Sequence, residues 1–355
     1  KAVDPTNVSL QMAMLDYYLS QGMDSLYDAA RDSILYAPET DTGKRIVLIQ
    51  QMVQRMSPDS ADTQRIIDRF DRVLQLDSTN VEMLTMYAAF LDYRQKPQEM
   101  IQTVMSRVLS VEPDNEMATQ WLLQYYASRK DYSSLEEICR RGVNYHPKDL
   151  VYPYFLGMIL MDRDSNAEAL EVLDRGIRMR SEDTRHALVS DAFTVKGDAY
   201  YNMDKHREAF LQYDSALVYN KDNILCLNNY AYYLSLRNED LDKAEEMSYR
   251  TIKAEPDNKT YLDTYAWILF MQAKYGEAQE YMDKVVPPDS SEHFLMTDLY
   301  TSTAILEHAG DVAWMNGDVE RAAYLWQLAV RRGDDELTPI LKKKAKKRKY
   351  FKNKQ

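Results

Sequence analysis

Long apolar runs are missing from this chain. The longest, Leu150 to Met161, contains Pro153 and stops at Asp162, well short of the ~20 residues a bilayer-spanning helix needs, so no transmembrane helix is expected. Glycine and proline are scarce, 10 and 11 in 355 residues, and no Gly-, Ser- or Pro-rich stretch could link separate halves. Only two cysteines occur, Cys139 and Cys226. Metal-binding spacings are absent too: His146, His186, His206, His293 and His308 form no cluster, and neither HExxH nor CxxC is found. Without convincing strands there is no Gly-rich phosphate loop either. No catalytic, metal or cofactor site is expected, and the chain does not read as an enzyme.

What is present is a lattice. Ala89, Leu123, Gly157, Gly197, Ala231, Ala266 and Gly310 are followed twelve or thirteen residues later by Ile101, Leu135, Ala169, Ala209, Ala244, Ala278 and Ala322. Steps between successive anchors are 34, 34, 40, 34, 35 and 44, which gives a 34-residue unit with two enlarged joints, near 181–190 and 286–297. A period of this length means stacked helix pairs. In the unit from Phe193 to Asn220, apolar and small residues fall at Phe193, Gly197, Tyr200 and Tyr201, then at Ala209, Phe210, Tyr213, Ala216 and Leu217. Those are i, i+3, i+4 spacings in two successive helices. Pro113, Pro147 and Pro256 end second helices, and Asp114-Asn115 and Asp257-Asn258 supply caps for the next. The two cysteines lie three repeats apart, too far for a disulfide, so two free thiols are expected.

The small paired positions, the aromatics and the trailing prolines resemble the tetratricopeptide-repeat family. LNNYAYYL (227–234), TYAWILF (264–270) and EHAGDVAW (307–314) look like its first helices, and DYSSLEEICRRGVNYHPKD (131–149) like a turn, second helix and proline. The resemblance implies an all-α, right-handed α-α superhelical solenoid of about nine helix pairs with a C-terminal capping helix. Two divergent pairs fill 1–80, with Met14, Leu26 and Pro38 keeping the offsets of the first; seven repeats fill 81–335; a basic helix or tail fills 336–355. The repeat styles look bacterial. The chain starts at Lys1 without an initiator methionine, which a removed leader and a trimmed sequence fit equally; from the repeat style, an exported, periplasmic or envelope-associated mature form is the expectation, with the cytoplasm as alternative.

In the family, first helices line a concave face and contact ligands at positions flanking the anchor. Carried over, these are Tyr93, Tyr154, Asp198, Tyr201, Asn228, Tyr232, Asp263 and Trp267 as the principal partner-binding residues, with Glu307, Asp311 and Trp314 closing the series. Lysines that would clamp a terminal carboxylate are missing from such positions. The groove therefore suits an apolar or basic protein or peptide segment, and the function implied is a scaffold for assembling a multiprotein complex. The alternative is an envelope-biogenesis component whose aromatic stripe holds carbohydrate or lipid. Glu307-His308 is read as part of a solvated or capped first helix.

Charge is unevenly divided. Lys342, Lys343, Lys344, Lys346, Lys347, Arg348, Lys349, Lys352 and Lys354 follow the last acid, Glu336, and without them residues 1–341 hold 35 basic against 56 acidic residues, a net −21. The first half of this tail is read as a polar-faced cap on the last repeat. A disordered arm, contact with an anionic membrane surface and attraction to nucleic acid stay open, the last disfavoured by the acidic body.

Overall fold

The 34-residue period becomes a helix, a tight turn and a second helix. The structure, a computed structural model, describes residues 8–56, 60–298, 300–333 and 337–351. Among them there are helices and no strands. Lys352 and Lys354 of the basic tail lie outside the described residues.

The chain divides into two compact units, Lys1–Ile159 and Leu160–Gln355. The first contains α1 (Val8–Ser20), α2 (Asp24–Tyr36), α3 (Thr42–Arg55), α4 (Ser60–Leu76), α5 (Val81–Tyr93), α6 (Gln98–Val111), α7 (Glu116–Arg129) and α8 (Tyr132–Tyr145). Helix α9 (Val151–Asp162) crosses the division. Its Pro153 sits in the first turn, where the missing N–H has no helical partner to lose. The second unit holds α10 (Asn166–Met179), α11 (His186–Asn202), α12 (His206–Tyr219), α13 (Ile224–Leu236), α14 (Leu241–Ala254), α15 (Lys259–Met271) and α16 (Tyr275–Val285). It ends with α17 (Glu292–Thr297), α18 (Thr303–Met315), α19 (Val319–Arg332) and α20 (Pro339–Lys347). In chain order these make nine pairs, an additional short helix, α17, and a last one, α20. Within the second unit the first helices α11, α13, α15 and α18 are successive neighbours.

Local chemistry explains the boundaries. Asn80, Asn115, Asn223 and Asn258 each cap a first helix by accepting from backbone N–H groups of Met83, Ala118, Cys226 and Tyr261, a contact worth ~1 kcal/mol apiece. Among the described residues, eight of the nine pairs close their turn on a residue with left-handed backbone: Gly22, Gln95, Lys130, Asp164, Asp204, Asn238, Ala273 and Gly317. From Gln95 onward their steps follow the lattice, including its long ones. Only two of these residues are glycine, so this element of the repeat leaves little mark on composition.

All seven second-helix positions of the lattice are buried, and so are six of the seven anchors. Ala89 differs: it is exposed, and Ala88 faces the core instead. The rotation of α5 follows from Tyr87, whose ring stacks on Phe70 with centroids 4.7 Å apart. Glycine at an anchor makes room for a ring rather than simply for a helix. A Cβ at Gly197 would run into Tyr213, and one at Gly310 would lie 2.5 Å from Trp326 Nε1. Cys139 and Cys226 are both free and buried, and burial pushes each thiol up to about 12.

The two long joints resolve differently. The first becomes a short loop plus an extra turn at the start of α11, tied down where buried Ser190 donates to the Ala216 carbonyl (2.8 Å) and accepts from Asn223 (2.9 Å). The second becomes α17, which is docked: Leu295 is buried, Lys259 pairs with Asp298 at 2.7 Å, and Arg332 donates to the Leu295 carbonyl at 3.1 Å.

Candidate functional site

Four neighbouring first helices of the second unit, α11, α13, α15 and α18, together with α20, carry a continuous polar and aromatic seam. It starts on α11. Tyr213, from the paired α12, lies over Gly197 and donates to Asp198 at 2.5 Å. Asn229 of α13 adds its amide N–H at 3.2 Å to both oxygens. Burial pushes the Asp198 carboxyl up to about 6, against the lowering effect of those two donors. Asn228 is also buried, and its amide N–H reaches Asn229 Oδ1 at 3.4 Å. Its own Oδ1 is buried without a hydrogen-bond partner.

The same construction recurs three pairs further on. Trp326, from α19, lies over Gly310 and donates to Asp311 at 3.0 Å. Where Asn229 served Asp198, the second donor to Asp311 is Lys344 of α20, with Nζ 2.8 and 2.6 Å from its two oxygens and 2.7 Å from Glu307 Oε1. Helix α20 thus takes the place a next first helix would hold. Lys344 is completely buried. Burial pushes the Asp311 carboxyl up to about 6, with Lys344 pulling the other way.

Between these two stations sits His308. It is buried, bonded through Nδ1 to Asp263 at 3.0 and 3.1 Å, and stacked on Trp267 with centroids 4.0 Å apart. Burial alone would lower its pKa; the Asp263 carboxylate, helped by Glu307 and Asp311, outweighs this and raises it. Trp267 also stacks on Phe270 at 4.9 Å, and its Nε1 is buried without a partner. Reading Glu307-His308 as a solvated or capped helix start was therefore mistaken: both face the interior, because Asp263 and Lys344 offer opposite charges there.

The eight residues expected to bind a partner fall into distinct places. Asp198, Asn228, Asp263 and Trp267 are buried within the seam, all under 10% exposed. Tyr201 and Tyr232 are half-buried along it: Tyr201 stacks on Tyr233 at 3.7 Å, and Tyr232 stands 6.3 Å from the His308 ring. Tyr93 and Tyr154 belong to the first unit, the former 70% exposed, the latter half-buried edge-on to Phe155 at 5.3 Å. The seam's other members, Asn229, His308 and Lys344, were not singled out from sequence as site residues. A signal existed for Lys344: Glu307 and Asp311 stand one turn apart on an inward face, and a single buried cation answers both.

Among the described residues no group of His, Cys, Asp and Glu is arranged to hold a metal ion, and no helix is long and apolar enough to cross a membrane.

No family model matches the chain. A curated TPR repeat-containing protein of Pseudomonas aeruginosa is 24% identical over 123 residues, which is 35% of this chain and 20% of that protein. The match thus spans about a fifth of that relative's length. Among solved structures, a tetratricopeptide repeat protein from Parabacteroides merdae superposes with a TM-score of 0.52 at 15% identity, covering 76% of this chain and 98% of the other. The Pseudomonas aeruginosa pilF structure aligns over 63% of this chain and 94% of its own, at 15% identity and a TM-score of 0.47.

Proposed function

This chain has the tetratricopeptide-repeat fold, as its bacterial relatives do, and from that premise we propose that it is a non-catalytic scaffold. It captures an apolar or basic segment of a partner protein along the first helices and supports assembly of a multiprotein complex at the cell envelope. The observation that carries the reading is a mismatched pair of atoms. Asn228 Oδ1, an acceptor, and Trp267 Nε1, a donor, are both buried and unpartnered on neighbouring first helices. Leaving such groups unpaired costs about 1–3 kcal/mol each, and a peptide group offers the complementary N–H and C=O. Entry runs past Tyr232, one turn beyond Asn228 and beside the His308 ring that covers Trp267.

Peptide is favoured over sugar by how the rings are used. Stacking on a sugar requires a free ring face, whereas Tyr201 spends one on Tyr233, and Trp267 is covered by His308 and Phe270. The preference for a basic or apolar segment rests on the half-buried rings of Tyr201 and Tyr232 and on the net −21 of residues 1–341.

Fluorescence polarisation with labelled basic, apolar and acidic peptides tests this. Tyr232→Ala combined with Trp267→Phe should weaken the best binder about tenfold or more while the helical circular dichroism is kept. Unaltered affinity in that variant, or stabilisation in thermal-shift assays by glycans and by no peptide, would refute the proposal.

A further inference from the structure

Helix α20 buries Leu341, Lys344 and Ala345, and this fixes where its other cations go. Lys342, Lys343, Lys346 and Lys347 are exposed on the remaining arc, and Arg348 and Lys349 continue it just past the helix end. Arg348 pairs with Glu320; no carboxylate among the described residues pairs with the five lysines. Such crowding works against the helix itself. Lys342 and Lys346, and Lys343 and Lys347, are like charges at i, i+4, which destabilise a helix, and cations in its first turn oppose the backbone dipole. The capping role uses only the buried arc, so it does not account for this outer charge.

Beside it runs a groove of about 570 Å³ between α19 and α20, lined by Gln327, Val330, Arg331, Lys342, Ala345 and Lys346. Three cations rim it and two apolar side chains floor it. Arg331 is tied to Glu292 at 2.7 Å, leaving Lys342 and Lys346 as its free charges. Half-buried Phe351 lies under Lys343, whose Nζ is 4.1 Å from the ring centroid.

We propose that this outer face of α20 docks the protein onto an anionic phospholipid surface, with headgroup phosphates at Lys342 and Lys346 and the apolar floor facing the glycerol and upper acyl region. The inference is independent of peptide capture by the first helices. A bilayer fits better than a nucleic acid for two reasons. The cations occupy one helix of nine residues, about 14 Å long at ~1.5 Å per residue, the footprint of a few headgroups rather than a track for a phosphate backbone. Apolar atoms beneath the charges also suit the lipid interface and have no use in a phosphate track.

The test is vesicle flotation with the full chain, comparing phosphatidylcholine vesicles with phosphatidylcholine–phosphatidylglycerol vesicles. Binding should require phosphatidylglycerol and fall with added salt, because attraction of this kind decays within a Debye length. Replacing the four exposed helix lysines, Lys342→Gln, Lys343→Gln, Lys346→Gln and Lys347→Gln, should weaken it on the order of 10³-fold, with helical circular dichroism retained and the melting temperature equal or higher. Inorganic phosphate at equal ionic strength should compete no better than chloride. The proposal is overturned if phosphatidylglycerol vesicles are not bound, if the quadruple variant floats like the parent, or if a DNA duplex is bound more tightly than the vesicles at the same salt.

Discussion

Lys344 and Asp311 form a buried ion pair in which the ammonium nitrogen lies 2.6 and 2.8 Å from the two carboxylate oxygens, and Lys344 has no solvent-exposed surface. Glu307 supplies a third oxygen at 2.7 Å. Removing one partner leaves uncompensated charge in an apolar setting, so Lys344→Met should destabilise the protein by about 3–5 kcal/mol. Adding Asp311→Asn and Glu307→Gln should recover much of that. Urea denaturation followed by tryptophan fluorescence reads both changes; equal stabilities for Lys344→Met and the triple variant would sink the argument.

Glycines in this fold divide by what lies over them. Gly310→Ala places a methyl against Trp326 and should cost about 1–3 kcal/mol or more. Gly276→Ala meets nothing within 4 Å inside α16 and should stabilise by about 0.5–1 kcal/mol. Calorimetry on the two variants should move the melting temperature in opposite directions, and shifts of one sign would show that ring packing is not what selects glycine.

Left-handed turns predict a gain. Ala273, at φ 61°, and Lys130, at φ 55°, hold a backbone conformation that disfavours a Cβ. Ala273→Gly or Lys130→Gly should each stabilise by about 0.5–1 kcal/mol. A lower denaturation midpoint in both variants would contradict the assignment.

The seam also sets a pH dependence opposite to the usual acid loss. Asp198 and Asp311 titrate at about 6, above their unfolded range, because burial disfavours their charged forms. His308 is raised as well, by Asp263 against the pull of burial. In each case the folded state binds the proton more tightly. The associated stability is full below the unfolded pKa and is lost as pH rises through the folded one. Melting temperature should therefore rise as pH is lowered from about 8 to about 5.5. Below about 4 it should fall again, because Asp77, Asp298 and Glu245 are held below their usual range. In the Asp198→Asn, Asp311→Asn double variant the upper slope should flatten; a wild-type melting temperature level between pH 6 and 8 would argue against the mechanism.

Much of the architecture was legible in the sequence because small residues, prolines and Asn caps are local signals repeated at one period. Asn115 and Asn258 act as the caps their positions suggested, and Pro113, Pro147 and Pro256 lie in turns. Other features were not readable, for identifiable reasons. Ala89 and Ala88 are adjacent and chemically identical, and only the Tyr87–Phe70 stack decides which faces inward. Lys344 looks like its neighbouring lysines, since its burial depends on Glu307 and Asp311, 37 and 33 residues away. His308 was obscured similarly: its partner Asp263 lies 45 residues earlier.

The left-handed residue that closes most pairs has a consequence for how such a chain can change length. The two long insertions in the lattice fall between a second helix and the following first helix, in 180–185 and 286–302, whereas the turns within pairs differ by only a residue or two. The intra-pair turn tolerates many side chains but little added length, whereas the inter-pair connection accepts a loop, an extra turn of helix or a whole short helix. Foreign sequence grafted at Ser181–Thr184 should therefore leave the neighbouring hairpins intact, and the same graft at Asp204 should not.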